Sequence, residues 1–293
     1  MMKGLFSQSG IISKVLILFG ISCFTVVLGA MLMLILPNSN VQDVNYLKTL
    51  QLVESIGMFV IPPFVFAYFC NEKPIVFLHL DKKVNWFHII LVVLFMLMII
   101  PAINLISSLN QQLALPKAFA GIEAWMKTSE AQMAKLTEQL LNVHSLPALG
   151  FNILLIAMIP AFGEELFFRG AIQGVLGEKM NIRFAIWISA IVFSAIHFQF
   201  YGFFPRMLMG AFFGYLLFWG ENLWLPIVAH FTNNAIAIVF YYLKSNGHTL
   251  PDIDTVGTGN TLWLGLLSGL LAICGFIWLK KLLSPQRQIL LES

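Results

Sequence analysis

Charge is the scarcest ingredient of this 293-residue chain: Asp, Glu, Lys and Arg together make up 11% of it, against 59% for hydrophobic residues. A water-soluble domain carries roughly a quarter charged residues, so a surface covered by water is excluded. Cysteine is nearly absent as well. Cys23, Cys70 and Cys274 are odd in number, lie within or at the edge of apolar runs and show no CxxC spacing. That excludes a disulfide framework and leaves packing as their expected role. There is no repeat, low-complexity tract or long flexible linker, so residues 1–293 read as a single membrane domain. The net charge of +3 gives no case for a nucleic-acid partner; the expected surroundings are the lipid bilayer.

What is present is a succession of apolar runs. Crossing a hydrocarbon core of about 30 Å takes about 20 apolar residues in a helix. Windows at 15–36, 53–70, 86–107, 148–170, 184–200, 207–220, 223–243 and 261–283 predict an all-α polytopic membrane protein with about eight transmembrane helices. The first run is too long for a signal-peptide core and lacks a small-x-small cleavage site, so it is expected to be retained. Lys3, Lys14, Lys73, Lys82, Lys83, Lys179, Arg183, Lys280, Lys281 and Arg287 fall on one side of this arrangement. The positive-inside rule then puts both termini in the cytoplasm, in the inner membrane of a bacterium to judge by the compact loops. The tail "LLSPQRQILLES" is expected to be cytoplasmic.

The one sizeable polar insertion is 108–147. Within it Phe119, Met126, Met133 and Leu140 recur every seven residues with Ile122 and Leu136 between them, which predicts an amphipathic helix on the outer membrane surface or packed on the bundle. Gly170 with Gly174, Gly210 with Gly214, and Gly265 with Gly269 have the Gly-x-x-x-Gly spacing that lets helices approach closely. Trp86, Trp219, Trp224 and Trp263 near span ends read as interfacial anchors.

Against this background the polar residues at membrane depth stand out, because each costs a few kcal/mol unless it is paired or faces a cavity. "AFGEELFFRG" supplies Glu164, Glu165 and Arg169; "FSAIH" supplies His197; "AHFTNNA" supplies His230, Asn233 and Asn234. Glu165 and Arg169 are four apart, share a helix face and are expected to pair. Glu164 is rotated about 100° from Glu165 and must find its partner on another helix. His230 and Asn234 share a face, and the rise per residue puts Glu164 and Asn234 at similar depth, about 18 Å from the inner helix ends.

A carboxylate, two imidazoles and a carboxamide converging in a partly dry cavity are the parts of a hydrolase. Glu164 is placed to act as general base on water, with His197 holding that water. His230 and Asn234 are candidates to stabilise the oxyanion. Ser194 lies on a different face from His197, so no nucleophilic serine is expected. Glu164, His197 and His230 would also make a zinc ligand set, although no His-Glu-x-x-His run is present, and spacing alone leaves a divalent metal such as zinc open.

These motifs resemble a known family. "EELFFR" fits Glu-Glu-x-x-x-Arg, "FSAIH" fits Phe-x-x-x-His and "HFTNN" fits His-x-x-x-Asn, in the order and approximate spacing of the CAAX-protease and bacteriocin-processing (CPBP, formerly Abi) intramembrane endopeptidases. The resemblance covers about residues 145–245, the expected catalytic core. It implies an eight-helix protease that cuts peptide bonds in or beside the bilayer, once labelled a metalloprotease and now described by a glutamate-and-water mechanism. Carried over, Glu164 and His197 activate water, His230 and Asn234 hold the oxyanion, and Glu165 and Arg169 support the site. The implied partner is a membrane-associated protein or peptide substrate. Because the first motif lies on a helix running toward the Lys- and Arg-rich side, the site is expected to open to the cytoplasm or inner leaflet.

Two other readings use the same residues. A transporter would place ionisable residues in two inverted halves, yet the polar cluster lies wholly in the C-terminal half. A non-catalytic scaffold, immunity or regulatory protein would use the cluster as a satisfied network fixing helix register. Glu164→Gln separates that reading from proteolysis.

Overall fold

The computed structural model describes residues 2–35, 43–113 and 115–284. Arg287 and most of the expected cytoplasmic tail lie outside the described residues. The chain is all-α, as its composition and periodicity predict, and no strand occurs among the described residues. The principal helices are α1 (Ile11–Ile35), α2 (Val44–Cys70), α3 (Trp86–Met98), α4 (Ile100–Gln111), α5 (Ala120–Leu141), α6 (Leu146–Gly177), α7 (Ile182–Ala195), α8 (Phe203–Gly220), α9 (Trp224–Ser245) and α10 (Leu262–Leu283).

By length and apolar character five of the described helices can cross a membrane, or six if the bent pair α3–α4 forms one span. Eight were expected. The difference lies in α7, which has 14 residues, and in α8, whose first turn carries Pro205 and Arg206. The chain is an integral membrane protein, with fewer full-length spans among the described residues than the apolar windows predict.

Proline shapes the long helices. Pro101, in the first turn of α4, has no N–H to continue the ladder of α3, and the two helices meet at 44°. In α2, Pro62 and Pro63 follow a wider π turn at Ile56–Val60. Carbonyls freed there are taken up by α1: Ser22 Oγ donates to Met58 O at 3.4 Å, and Thr25 Oγ1 donates to Gly57 O. Helix α6 runs through Pro160 with π turns at Ile153–Met158 and Leu166–Gln173. Such bulges recur at functional sites because they re-aim side chains without ending the helix.

Two aromatic-rich cores flank α6 and α8. One joins α1, α2, α6 and α7 through Leu18, Phe66, Phe167, Phe168 and Phe193; the other joins α3, α8, α9 and α10 through Phe95, Phe212, Phe213, Trp219 and Leu279. Trp219 is therefore a core residue, packed edge-on against Phe276, and is not the interfacial anchor its position suggested. Trp86 and Trp263 are exposed. Cys70 is buried and Cys23 and Cys274 face outward from apolar helices, all as free thiols.

The insertion forms α5, which packs on α2 and α9. Leu140 and Leu141 are buried, whereas Phe119, Ile122 and Trp125 remain exposed. An apolar stripe left open beside membrane-spanning helices fits a helix lying along the bilayer surface.

Candidate active site

The site is assembled where α6, α7 and α9 meet. Glu165 Oε1 accepts from Arg169 Nη1 at 2.7 Å, and both side chains are wholly buried. The expected pair forms, and it includes a third member: His230 Nδ1 lies 2.8 Å from the same Glu165 oxygen. Arg169 extends across the helix boundary, donating from Nη2 to Gly210 O at 3.0 Å, with its guanidinium 4.4 Å from the Phe193 ring and 5.4 Å from Phe213. A buried cation is tolerable only when its donors are used and its charge is matched. Here a carboxylate matches the charge, and that carboxylate, a carbonyl and two ring faces take up the guanidinium apart from its Nε, which has no hydrogen-bond partner.

One turn further along α6, Gln173 Nε2 donates to Gly214 O at 3.2 Å. Glu165, Arg169 and Gln173 thus run down one face, and two of them dock on carbonyls four residues apart on α8. An α-helix turns 100° per residue, so steps of four drift by about 40°. The π turn at Leu166–Gln173 takes up that drift. Gly210 and Gly214 make the approach possible: a Cβ at Gly210 would meet Arg169 Nη2 at 3.0 Å, and one at Gly214 would meet Gln173 Oε1 at 2.7 Å. Gln173 was not foreseen from the sequence, although its spacing from Arg169 repeats that of Arg169 from Glu165.

Glu164 points to the other side of α6. Its Oε2 lies 3.9 Å from His197 Nε2 and 3.8 Å from His230 Nε2. Both distances are too long for direct hydrogen bonds. That oxygen is buried and has no hydrogen-bond partner, which is costly for a carboxylate at this depth. The partner that Glu164 had to find on another helix is therefore a pair of imidazoles, held just beyond contact.

Tautomers follow from the outer bonds. His197 Nδ1 lies 2.7 Å from Phe193 O; a carbonyl only accepts, so Nδ1 carries the hydrogen and Nε2 of the neutral ring is a bare acceptor. The Glu165 carboxylate sets His230 the same way. Aromatic walls fix both rings: Phe193 meets His197 at 5.0 Å and His230 at 5.8 Å edge-on, and Phe213 stacks on His230 at 5.2 Å.

Asn234 stands one turn beyond His230 on α9, where its carboxamide oxygen accepts from Asn233 Nδ2 at 3.2 Å. Among the described residues no hydrogen bond joins it to Glu164, His197 or His230. Ser194 Oγ donates to Phe203 O at 2.7 Å, an anchor for the following loop. No three of His, Cys, Asp and Glu among the described residues are placed to hold a metal ion.

Exposure is graded across the cluster. Side-chain exposure is 7% for His230, 13% for Glu164 and 27% for His197, so it rises toward the loop after α7. Asn110 at the end of α4 donates to Phe200 O in that loop, and Trp125 of α5 packs on the Phe200 ring. The loop thus lies at the end of the bundle bearing the insertion, opposite the Lys14–Glu178 ion pair of the Lys- and Arg-rich end.

Comparison with known proteins adds a family likeness over part of the chain. Residues 147–236 match the family profile described as "Rce1-like: Type II CAAX prenyl endopeptidase Rce1-like". Over 103 residues the chain is 30% identical to "Putative membrane peptidase YdiL" of Bacillus subtilis, covering 35% of this chain and 41% of that protein. Over 120 residues it is 26% identical to "Uncharacterized protein YpbD" of the same organism, covering 39% of this chain and 57% of that protein. The chain thus spans about half the length of these curated relatives. No solved structure matches. The matched segment contains Glu164, Glu165, Arg169, His197, His230 and Asn234 together, and over it the chain is similar to the Rce1-like CAAX endopeptidases, consistent with the CPBP resemblance of its motifs.

Proposed function

We propose that this protein is an intramembrane endopeptidase that hydrolyses a peptide bond of a membrane-associated protein or peptide with water activated by Glu164 and His197. The observation that carries the proposal is the unpartnered Glu164 Oε2 facing two imidazole Nε2 atoms at 3.8 and 3.9 Å. A water in that gap would find three acceptors and donate to two of them. As its oxygen attacks the scissile carbonyl carbon, one proton passes to Glu164, and the C–O bond forms as the carbonyl becomes an oxyanion. When the C–N bond breaks, Glu164 returns that proton to the leaving amine.

The oxyanion needs donors. Asn234 Nδ2 is one candidate. His230 qualifies only as an imidazolium, since its Nδ1–H is committed to Glu165 and the neutral ring offers a lone pair at Nε2. Glu165 and Arg169 accordingly act as support.

The family profile favours a peptidase over a scaffold. The membrane is proposed to be the bacterial cytoplasmic one, with the Lys- and Arg-rich end inside. The test compares membrane-protein N- and C-termini by mass spectrometry in cells carrying the wild type, no protein, or Glu164→Gln at matched levels. Cleavage products found only with the wild type are expected. Identical termini in all three, with Glu164→Gln keeping a wild-type phenotype, would sink the protease reading in favour of a scaffold.

A further inference from the structure

His197 is the one member of the cluster that does not stand within a helix. It follows the end of α7, and Phe198 after it has φ +52°, a left-handed conformation that is strained for a non-glycine residue. A strained residue beside a functional one persists only where its surroundings over-determine it. Three of the restraints are the bonds from Ser194 to Phe203 O and from Asn110 to Phe200 O, and the Trp125–Phe200 contact. All act at or beyond Phe200.

The fourth restraint is closer. Arg206, in the first turn of α8, donates from Nη2 to Gln199 Oε1, and its Nη1 lies 3.5 Å from Gln199 O. The guanidinium also lies over Gly202, where a Cβ would meet Nη2 at 3.2 Å. Its charge acts on both His197 and Glu164, and the carboxylates acting on it are Glu130 of α5 and Glu164. We propose that Arg206 is a positioning residue for His197, gripping Gln199 across the strained Phe198 so that Nε2 stays directed at Glu164.

The proposal rests on the reading of Glu164 and His197 as the water-activating pair, but it can be tested without a substrate. The full-length protein in detergent micelles, labelled with ¹⁵N-histidine and assigned with His197→Gln, reports the tautomer and titration of each ring. The groups whose charge bears on His197 are Arg206 on α8, Glu164 and Arg169 on α6, and His230 on α9. Arg206→Ala removes a cation that, next after burial, opposes protonation of His197 and also removes the grip on Gln199, so the His197 midpoint should rise and its resonances should broaden.

Arg206→Lys keeps the charge but not the fork that spans two oxygens. It should broaden the His197 signal with little change in midpoint, as should Gln199→Ala. His230, held by Glu165, should change little in all three. The proposal is overturned if His197 keeps its wild-type spectrum and midpoint in all three variants, or if His197 and His230 move equally. Because no cleavage is measured, such a failure would leave the Glu164 test of proteolysis standing, and a failure there would leave this result intact.

Discussion

Glu165 Oε1 receives both Arg169 and His230, so one buried oxygen links the ion pair to the imidazole facing Glu164. Arg169→Ala would leave that carboxylate buried with its main counter-charge gone. Removing one partner of a buried pair costs about 3–5 kcal/mol, so a marked loss of thermal stability in detergent is expected, read as the unfolding midpoint. Glu164→Gln should behave oppositely. Its Oε2 has no hydrogen-bond partner, so an amide of the same shape is expected to leave the midpoint unchanged or raised while abolishing cleavage. A Glu164→Gln protein destabilised as much as Arg169→Ala would mean that Glu164 is a structural member of the network.

The pairing of Glu165 with Arg169 was legible from their four-residue spacing, and so was the need of Glu164 for a partner on another helix. Which partner each histidine takes was not legible. His230 Nδ1 bonds Glu165 while its Nε2 faces Glu164, and the choice depends on the rotation of α9 against α6, which no local pattern encodes.

Helices carry the next level of the argument, and the Gly-x-x-x-Gly pairs show how it can be tested. The same spacing occurs on α8 and α10 with different surroundings. A Cβ at Gly214 would lie 2.7 Å from Gln173 Oε1 and 2.8 Å from Ile186 Cγ2, whereas at Gly269 nothing lies within 4 Å. Gly214→Ala should push α8 away from α6 and α7 and cost about 1–3 kcal/mol, the usual penalty for overpacking. Gly269→Ala should be neutral or slightly stabilising, since alanine is the better helix former by about 1 kcal/mol. Thermal unfolding of the two variants side by side checks this, and equal losses would contradict it.

The spacing identified every glycine pair but not which pair is a contact, because the motif is silent about the facing helix. Proline behaves similarly. The window 86–107 reads as one span in the sequence, and the 44° bend at Pro101 shows only in the structure.

For the whole molecule the arrangement makes a prediction about sidedness. α6 runs from the end carrying α5 to the end carrying Glu178, so residues on α5 and in the loop after α6 should lie on opposite faces of the membrane. Single cysteines at Ser129 and Lys179, with Cys23, Cys70 and Cys274 replaced, should react with a membrane-impermeant thiol reagent from opposite sides, Lys179 from the cytoplasm. Labelling of both from one side would refute this path for α6.

Class, membrane environment and the identity of the polar cluster were determined by the sequence alone. With 59% hydrophobic residues and 11% charged, the chain has few ways to dispose of its apolar surface except in lipid, and any ionisable group left at depth must be used or paired. The number of full-length spans, the tautomer-setting bonds, the Arg206 grip on the His197 loop and the direction in which exposure rises were decided only by tertiary structure. Each of these depends on how helices distant in sequence rotate and settle against one another, and that is fixed by close packing between faces whose partners a single helix pattern does not name.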